Sequence, residues 1–239
     1  MTNFKQKLML GTALVAVGAL ATSAAFAANE FTVDTNNSGT FTTAAPDERA
    51  DNGLDWNAGT NAATLAVNNH DLQVNESGTI NFSAAGTVGD ATTTTAGIQA
   101  GVTGKTLTFA NNDGGGATPV TATVTGGISV GSLAALSLVI NGSVNDGDAL
   151  TVDVNGNVNL GTGTISIVSQ DNASHATLNV SGNLTSGTIT LDENTGDATL
   201  VLDGLTVAQT VSGNIVAGND NEGNITVNNA AGVTFTGTI

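Results

Sequence analysis

Between Thr121 and Ile239 the chain is built from very short apolar alternations. They recur in triplets and are cut off almost at once by Gly, Asn or Asp. Leu150/Val152, Leu178/Val180, Leu200/Leu202 and Ile225/Val227 are like pairs separated by 28, 22 and 25 residues. A second apolar run follows each pair, at Val158/Leu160, Leu184, Leu205/Val207 and Val233/Phe235. A third follows at Ile165/Ile167, Ile189/Leu191, Ile215 and Ile239. Upstream, Ala122/Val124, Ile128/Val130 and Leu136/Leu138 repeat the plan 28 residues before Leu150. Short fragments recur with it: NGNVNL, SGNL, SGNI, EGNI, SGTITL, GTISIV and TGTI.

Apolar residues at i and i+2 mark a strand, because successive side chains point to opposite faces. The dominant residues (Thr, Val, Asn, Gly, Ser) are poor helix formers. Runs this short cannot bury their own apolar face, and a repeat of this length predicts stacked coils that bury it against one another. The expected fold is therefore all-β: a parallel β-solenoid (β-helix) with three short strands per coil and five coils from about Thr121 to Ile239. Leu150, Leu178, Leu200 and Ile225 are expected to share one interior column. Leu178, Val180, Leu200 and Leu202 should point inward, and Thr177, Asn179, Thr199 and Val201 outward. Gly and Asn would take the corners, where positive φ is needed, and internal Asn side chains could stack as hydrogen-bonded ladders. The alternative is an antiparallel β-sandwich, also built from short, regularly spaced strands. Its hairpin signals, best at Asn145–Asp148 and Asn111–Gly116, are weaker than the coil repeat.

Three regions follow along the chain. Residues 1–27 have the plan of a secretory signal peptide: Lys5 and Lys7, then the uncharged apolar run Leu8–Leu20, then Ala25-Phe26-Ala27 with small residues at −3 and −1 of a cut before Ala28. Residues 28–104 read as an irregular β region, including the polar segment Ala45–Thr60, and are the natural cap for an array with an open first edge. Residues 105–239 carry the solenoid. No later run is long and apolar enough to form a transmembrane helix in the mature chain. The chain has no cysteine, so its stability cannot come from disulfides.

Charge narrows the partners. The net charge is −16, and loss of Lys5 and Lys7 with the leader leaves Arg49 and Lys105 against 20 acidic residues, a net charge of −18. No basic surface exists to neutralise phosphates, so nucleic acid is excluded as a partner, and anionic headgroups are disfavoured. Catalytic signatures are absent. His70 and His175 each lie near an Asp (Asp71 and Asp171), but there is no G-x-S-x-G elbow, and solvent-facing loop histidines account for both. Asp192 and Glu193 are adjacent, so in a strand they point to opposite faces and cannot act as a pair. A lyase for acidic sugars would also want more cations than Arg49 and Lys105. No catalytic or cofactor-binding residues are assigned.

The oxygen-rich turns NDGDAL, LDENTGD and GNDNEGN supply weak calcium candidates: Asp146, Asp148, Asp192, Asp197, Asp220 and Glu222. None has EF-hand spacing, and acidic corner turns kept soluble by charge explain them better. Thr pairs at Thr106/Thr108, Thr121/Thr123, Thr188/Thr190 and Thr234/Thr236 would suit an ice-binding face, but they fall 15, 67 and 46 residues apart. The β-propensity of Thr accounts for them.

The fragment GNITVNNAAGVTFTGTI (Gly223–Ile239), with SGTITL and VNGNVNL, resembles the passenger repeats of alphaproteobacterial autotransporters, notably rickettsial surface-antigen outer-membrane proteins. The resemblance rests on repeat style and the leader, and it transfers no functional residue. It implies a right-handed parallel β-helix exported to the cell surface or outer membrane of a Gram-negative bacterium, or released extracellularly. The role it implies is adhesin-like stalk or coat, with a host or neighbouring-cell surface as partner. A full-length homologue is expected to carry an outer-membrane β-barrel. Here the sequence stops at VTFTGTI inside a repeat, and an open solenoid edge there is expected to allow self-association. The functional expectation is thus a non-catalytic surface protein. The alternatives are a secreted β-helix carbohydrate-active enzyme and a calcium-dependent surface-layer subunit.

Overall fold

The alternation in sequence becomes an alternation of burial. In the strand Leu136–Gly142 every second residue, starting at Leu136, is buried and the others are half-exposed. The same pattern holds in Leu150–Asn155, Ala176–Val180 and Ala198–Leu202. A computed structural model of the chain describes residues 77–239 apart from 83–84, 89–96, 112–118, 143–148, 171–173, 194–195 and 219–222. It also describes short strands between 31 and 74. The leader expected at 1–27 lies outside the described residues, which contain no helix.

The strands stack into three ladders around one core, and together they form a parallel β-solenoid. The first ladder runs through Gly86–Val88, Val120–Thr125, Leu150–Asn155, Ala176–Val180, Ala198–Leu202 and Asn224–Val227. The second runs through Ile98–Ala100, Ile128–Ser129 and Val158–Asn159, then through Leu184, Val211 and Phe235. The third runs through Gly78–Phe82, Lys105–Asn111, Leu136–Gly142 and Thr164–Ser169, then Thr188–Glu193 and Asn214–Ala217. In the last full coils the second and third ladders are carried by one bent strand each, Leu184–Glu193 and Gln209–Ala217. Every pairing between described strands is parallel. The one antiparallel contact among the described residues is an isolated bridge, Ala135 to Gly161. Parallel neighbours cannot be joined by hairpins, so the antiparallel sandwich is excluded.

Parallel pairing does not start at Lys105. Leu72–Val74, Gly78–Phe82, Gly86–Val88 and Ile98–Ala100 already stand in the same ladders, and Leu54–Trp56 pairs in parallel with Gly78–Phe82. The core is continuous through these coils. Phe82 stacks on Phe109, with ring centroids 5.7 Å apart and planes 10° from parallel. Below them Leu, Ile and Val fill successive layers that are essentially closed to solvent. Each such side chain contributes roughly 1.5–3 kcal/mol by leaving water.

The register corrects one expected column. Leu178, Leu200 and Ile225 do stack, but the residue above them is Val152. Leu150 pairs with Ala176, and Ala176 with Ala198. Shifting a strand by two residues leaves every inward side chain inward, so the apolar pattern alone cannot distinguish these registers. The corner between the first and second ladders does. Gly156 and Gly182 stack there, with Gly182 N–H donating to the Gly156 carbonyl at 3.1 Å. A Cβ on Gly182 would sit 2.5 Å from that carbonyl's carbon and oxygen. Beside them, Asn183 N–H donates to Asn157 Oδ1 and Thr210 N–H to Asn183 Oδ1, both at 2.8 Å. The asparagine ladder thus lies at an exposed corner, not in the interior.

Candidate functional site

At that same corner the next coil departs from its neighbours. Two coils pass from the first ladder to the second in a few residues, through Asn155-Gly156-Asn157 and Ser181-Gly182-Asn183. The third passes through Asp203-Gly204 and then four more residues, Leu205–Ala208, all exposed, before it rejoins the ladder. Leu205 is 85% exposed and Val207 72%. This corrects the expectation that Leu205/Val207 form the second inward run. The inward positions belong to Gln209 and Val211, of which Val211 stacks on Leu184.

Gln209 explains how the ladder tolerates the insertion. Its side chain is buried, and its carboxamide lies between the Gly182 carbonyl and the Gly204 N–H. Nε2 donates to the carbonyls of Gly182 (2.7 Å) and Val180 (2.8 Å), while Oε1 accepts from Gly204 N–H at 3.0 Å. One coil earlier the equivalent groups, Gly156 C=O and Gly182 N–H, bond directly. The carboxamide therefore stands in for a peptide group where the backbone has moved away, which meets the requirement that buried backbone groups be paired. Asn229, in the coil below, extends the arrangement. Its Nδ2 donates to Gln209 Oε1 and to the Val207 carbonyl, both at 2.9 Å, and its Oδ1 accepts from Ala231 N–H at 2.8 Å. The apolar tip is thus anchored by a buried and satisfied polar network.

A second polar group crosses three coils on the outer face of the first ladder. Asn179 Nδ2 donates to Asp203 Oδ2 at 3.0 Å and to Asp153 Oδ1 at 3.3 Å. Asn179 Oδ1 and Asp203 Oδ1 are closed off from solvent without a hydrogen-bond partner. Burial, and then the Asp203 carboxylate, hold the Asp153 carboxyl above its ordinary range. Around this group the outer face is hydroxylic. Thr121, Thr151, Thr177 and Thr199 form one unbroken column. On the third ladder Thr106 pairs with Ser137 and Thr164 with Thr188. The four Thr pairs noted in the sequence are divided among different ladders, and the columns are completed by single Thr and Ser residues.

Of the calcium candidates, Asp192 and Asp197 lie among the described residues, and each has its own surroundings. Asp197 faces His175, with Oδ2 3.1 Å from Nδ1, and its backbone N–H donates to the same Nδ1 at 3.2 Å when the ring is neutral. Asp192 packs against Gly218, where an added Cβ would fall 2.6 Å from Asp192 Oδ1. Glu193 Oε1 accepts from Ala198 N–H at 3.0 Å. Asp146, Asp148, Asp220 and Glu222 lie outside the described residues, as do His70 and Asp171. Among the described residues no three His, Cys, Asp or Glu side chains gather in a metal-binding group. No protein-family model, curated protein or solved structure matches this chain.

Proposed function

We propose that the chain is an exported, non-catalytic scaffold of the bacterial surface, a stalk or coat segment of the kind the autotransporter resemblance implies. The observation that carries this reading is the unbroken registered stack of coils, clad outside in hydroxyl, amide and carboxylate groups. Such a stack holds its strands in a single mechanical unit, each coil buried against its neighbours. The high negative charge keeps neighbouring molecules apart and soluble. Against this background the anchored, exposed tip Leu205–Ala208 is the local apolar contact point for a host or neighbouring-cell surface.

The test is expression of the whole chain in a Gram-negative host, followed by mass spectrometry of the mature N-terminus and labelling of intact cells. A product beginning at Ala28 and labelled without permeabilisation is expected. A product that keeps Met1–Ala27 and stays in the cytoplasm would refute the reading.

A further inference from the structure

One polar group on the outer face of the first ladder is short of a donor. Asn179 Nδ2 donates to Asp203 Oδ2 at 3.0 Å and to Asp153 Oδ1 at 3.3 Å, so one amide nitrogen faces carboxylates from the coils on either side. Asn179 Oδ1 and Asp203 Oδ1 are closed off from solvent and accept no hydrogen bond. Amide and carboxylate oxygens are acceptors only. The outward hydroxyl two residues on, Ser181 Oγ, donates elsewhere, to the Val154 carbonyl at 3.2 Å. The other outward positions around the group are Thr123 above Asp153, Val201 and Thr226 below Asn179, and Thr151, Thr177 and Thr199 in the next column. None of these is acidic or basic. His175 and Asp197 lie at the opposite end of the strands, before Ala176 and Ala198. Among the described residues, Asp153 and Asp203 are thus the titratable pair that meets here.

Asp203 also stands where the chain leaves the ladder. Its N–H donates to the Val180 carbonyl at 3.2 Å, and the next residue, Gly204, donates its N–H to Gln209 Oε1 at 3.0 Å. A displacement of Asp203 therefore acts on the first turn of the exposed excursion. We propose that Asp153, Asn179 and Asp203 form a proton-operated latch on Leu205–Ala208, closed while Asp153 holds its proton and loosened when both carboxylates are ionised. Protonated Asp153 supplies an O–H to the facing carboxamide, and the three coils then meet across one negative charge instead of two. With both carboxylates ionised, like charges share one amide and the closed-off oxygens stay unpaired, an unfavourable state for buried acceptors. Asp153 sits inside a strand paired on both sides, whereas Asp203 lies just past the end of Ala198–Leu202, so the repulsion is relieved at Asp203. Burial, and then the Asp203 carboxylate, hold the Asp153 carboxyl above its ordinary range, which favours the closed state. Because the folded value is the raised one, the proton's contribution is full below the unfolded value and is lost as pH rises through the folded one. The latch governs motion of the excursion and does not depend on what its side chains touch.

Amide hydrogen exchange of the whole chain, read by mass spectrometry over Asp203–Gln209 and corrected for the intrinsic pH dependence of exchange, tests it. Protection there is expected to be highest below about pH 4 and to fall about two- to threefold by about pH 7, the size a partly exposed charge pair gives. Leu136–Gly142, on another ladder, should keep its protection across that range. Asp153→Asn should hold the segment near its acid level throughout. Asn179→Ala, which removes the bridge, should abolish the pH dependence and leave the low level throughout. An undiminished pH dependence in either variant would overturn the proposal. So would a change of the same size in Leu136–Gly142, which would mark loosening of the whole stack. Millimolar calcium chloride at constant ionic strength should leave exchange at neutral pH unchanged; recovery of acid-level protection would assign the closed-off oxygens to a cation and overturn the proton latch.

Discussion

Gly182→Ala should damage this solenoid out of proportion to the single methyl added. The new Cβ would lie 2.5 Å from the Gly156 carbonyl carbon and oxygen and 2.6 Å from Asn157 Oδ1. Two of those atoms are backbone and cannot rotate away. Relief to an ordinary contact of about 3.5 Å means opening the corner by roughly 1 Å, against a strand spacing of about 4.8 Å. That displacement stretches Gly182 N–H to Gly156 C=O (3.1 Å), Ser181 N–H to Val154 C=O (3.1 Å) and Asn183 N–H to Asn157 Oδ1 (2.8 Å). Overpacking costs about 1–3 kcal/mol, and weakening two or three such bonds adds about 1 kcal/mol. The expected loss is therefore about 2–4 kcal/mol in urea-induced unfolding followed by far-UV circular dichroism. Gly104→Ala is the control, since its Cβ would meet nothing within 4 Å. Only the left-handed backbone (φ +74°) is penalised there, by about 1–2 kcal/mol. A Gly182→Ala loss below about 1 kcal/mol, or one no larger than the control, would show that the corner is not a tight stack.

Three further outcomes follow from the same geometry. Gln209→Ala strands the Gly182 carbonyl and Gly204 N–H and should cost about 2–4 kcal/mol while exposing Leu205–Ala208 to limited proteolysis; Gln209→Glu, which sets a carboxylate against two carbonyls, should cost more at neutral pH than in acid. Leu200→Ala should cost about 2–5 kcal/mol, since Leu200 is fully buried, whereas Val201→Thr on the outer face should change stability by less than about 0.5 kcal/mol; comparable losses would contradict the assigned faces. For Asp153 the folded carboxyl is held above its ordinary range, so its contribution is full below the unfolded value and is lost as pH rises through the folded one. Asp153→Asn should therefore stabilise the fold at pH 7 by about a few tenths of a kcal/mol, the figure being small because the group is only partly buried, read as a modest rise in melting temperature that vanishes near about pH 3; a destabilised variant at pH 7 would contradict the sign.

The period and the inward–outward assignment could be read from sequence because both rest on alternation, which a strand converts directly into burial. Thr177, Asn179, Thr199 and Val201 face outward, and their neighbours Leu178, Val180, Leu200 and Leu202 lie in the core. Absolute register could not be read the same way, and Leu150 shows why: a two-residue slip preserves every apolar–polar match, and the deciding contacts are glycine corners that carry no side chain to compare. Leu205 and Val207 show a second limit. They satisfy the strand pattern, while the residue that enters the core is Gln209, which no hydrophobicity rule would select. The Asp153–Asn179–Asp203 group brings together residues 26 and 24 positions apart, and it exists only once three coils are in register.

These limits share one physical origin. Inside a stack of like coils, interior layers are interchangeable, so an apolar pattern can be satisfied by several alignments with similar burial. What distinguishes one coil from the next is where the ladder is interrupted, and each interruption needs its own polar repair. The Gly182–Gln209–Gly204 bridge is such a repair. It permits a four-residue apolar excursion without opening the core, and it holds that excursion with the same hydrogen-bond economy as the regular corner it replaces. Asn229 from the next coil joins that repair to the excursion itself, since its Nδ2 donates both to Gln209 Oε1 and to the Val207 carbonyl. The excursion is therefore tied to the core at both ends, through Gly204 N–H and the Val207 carbonyl, although its side chains Leu205 and Val207 stay in solvent.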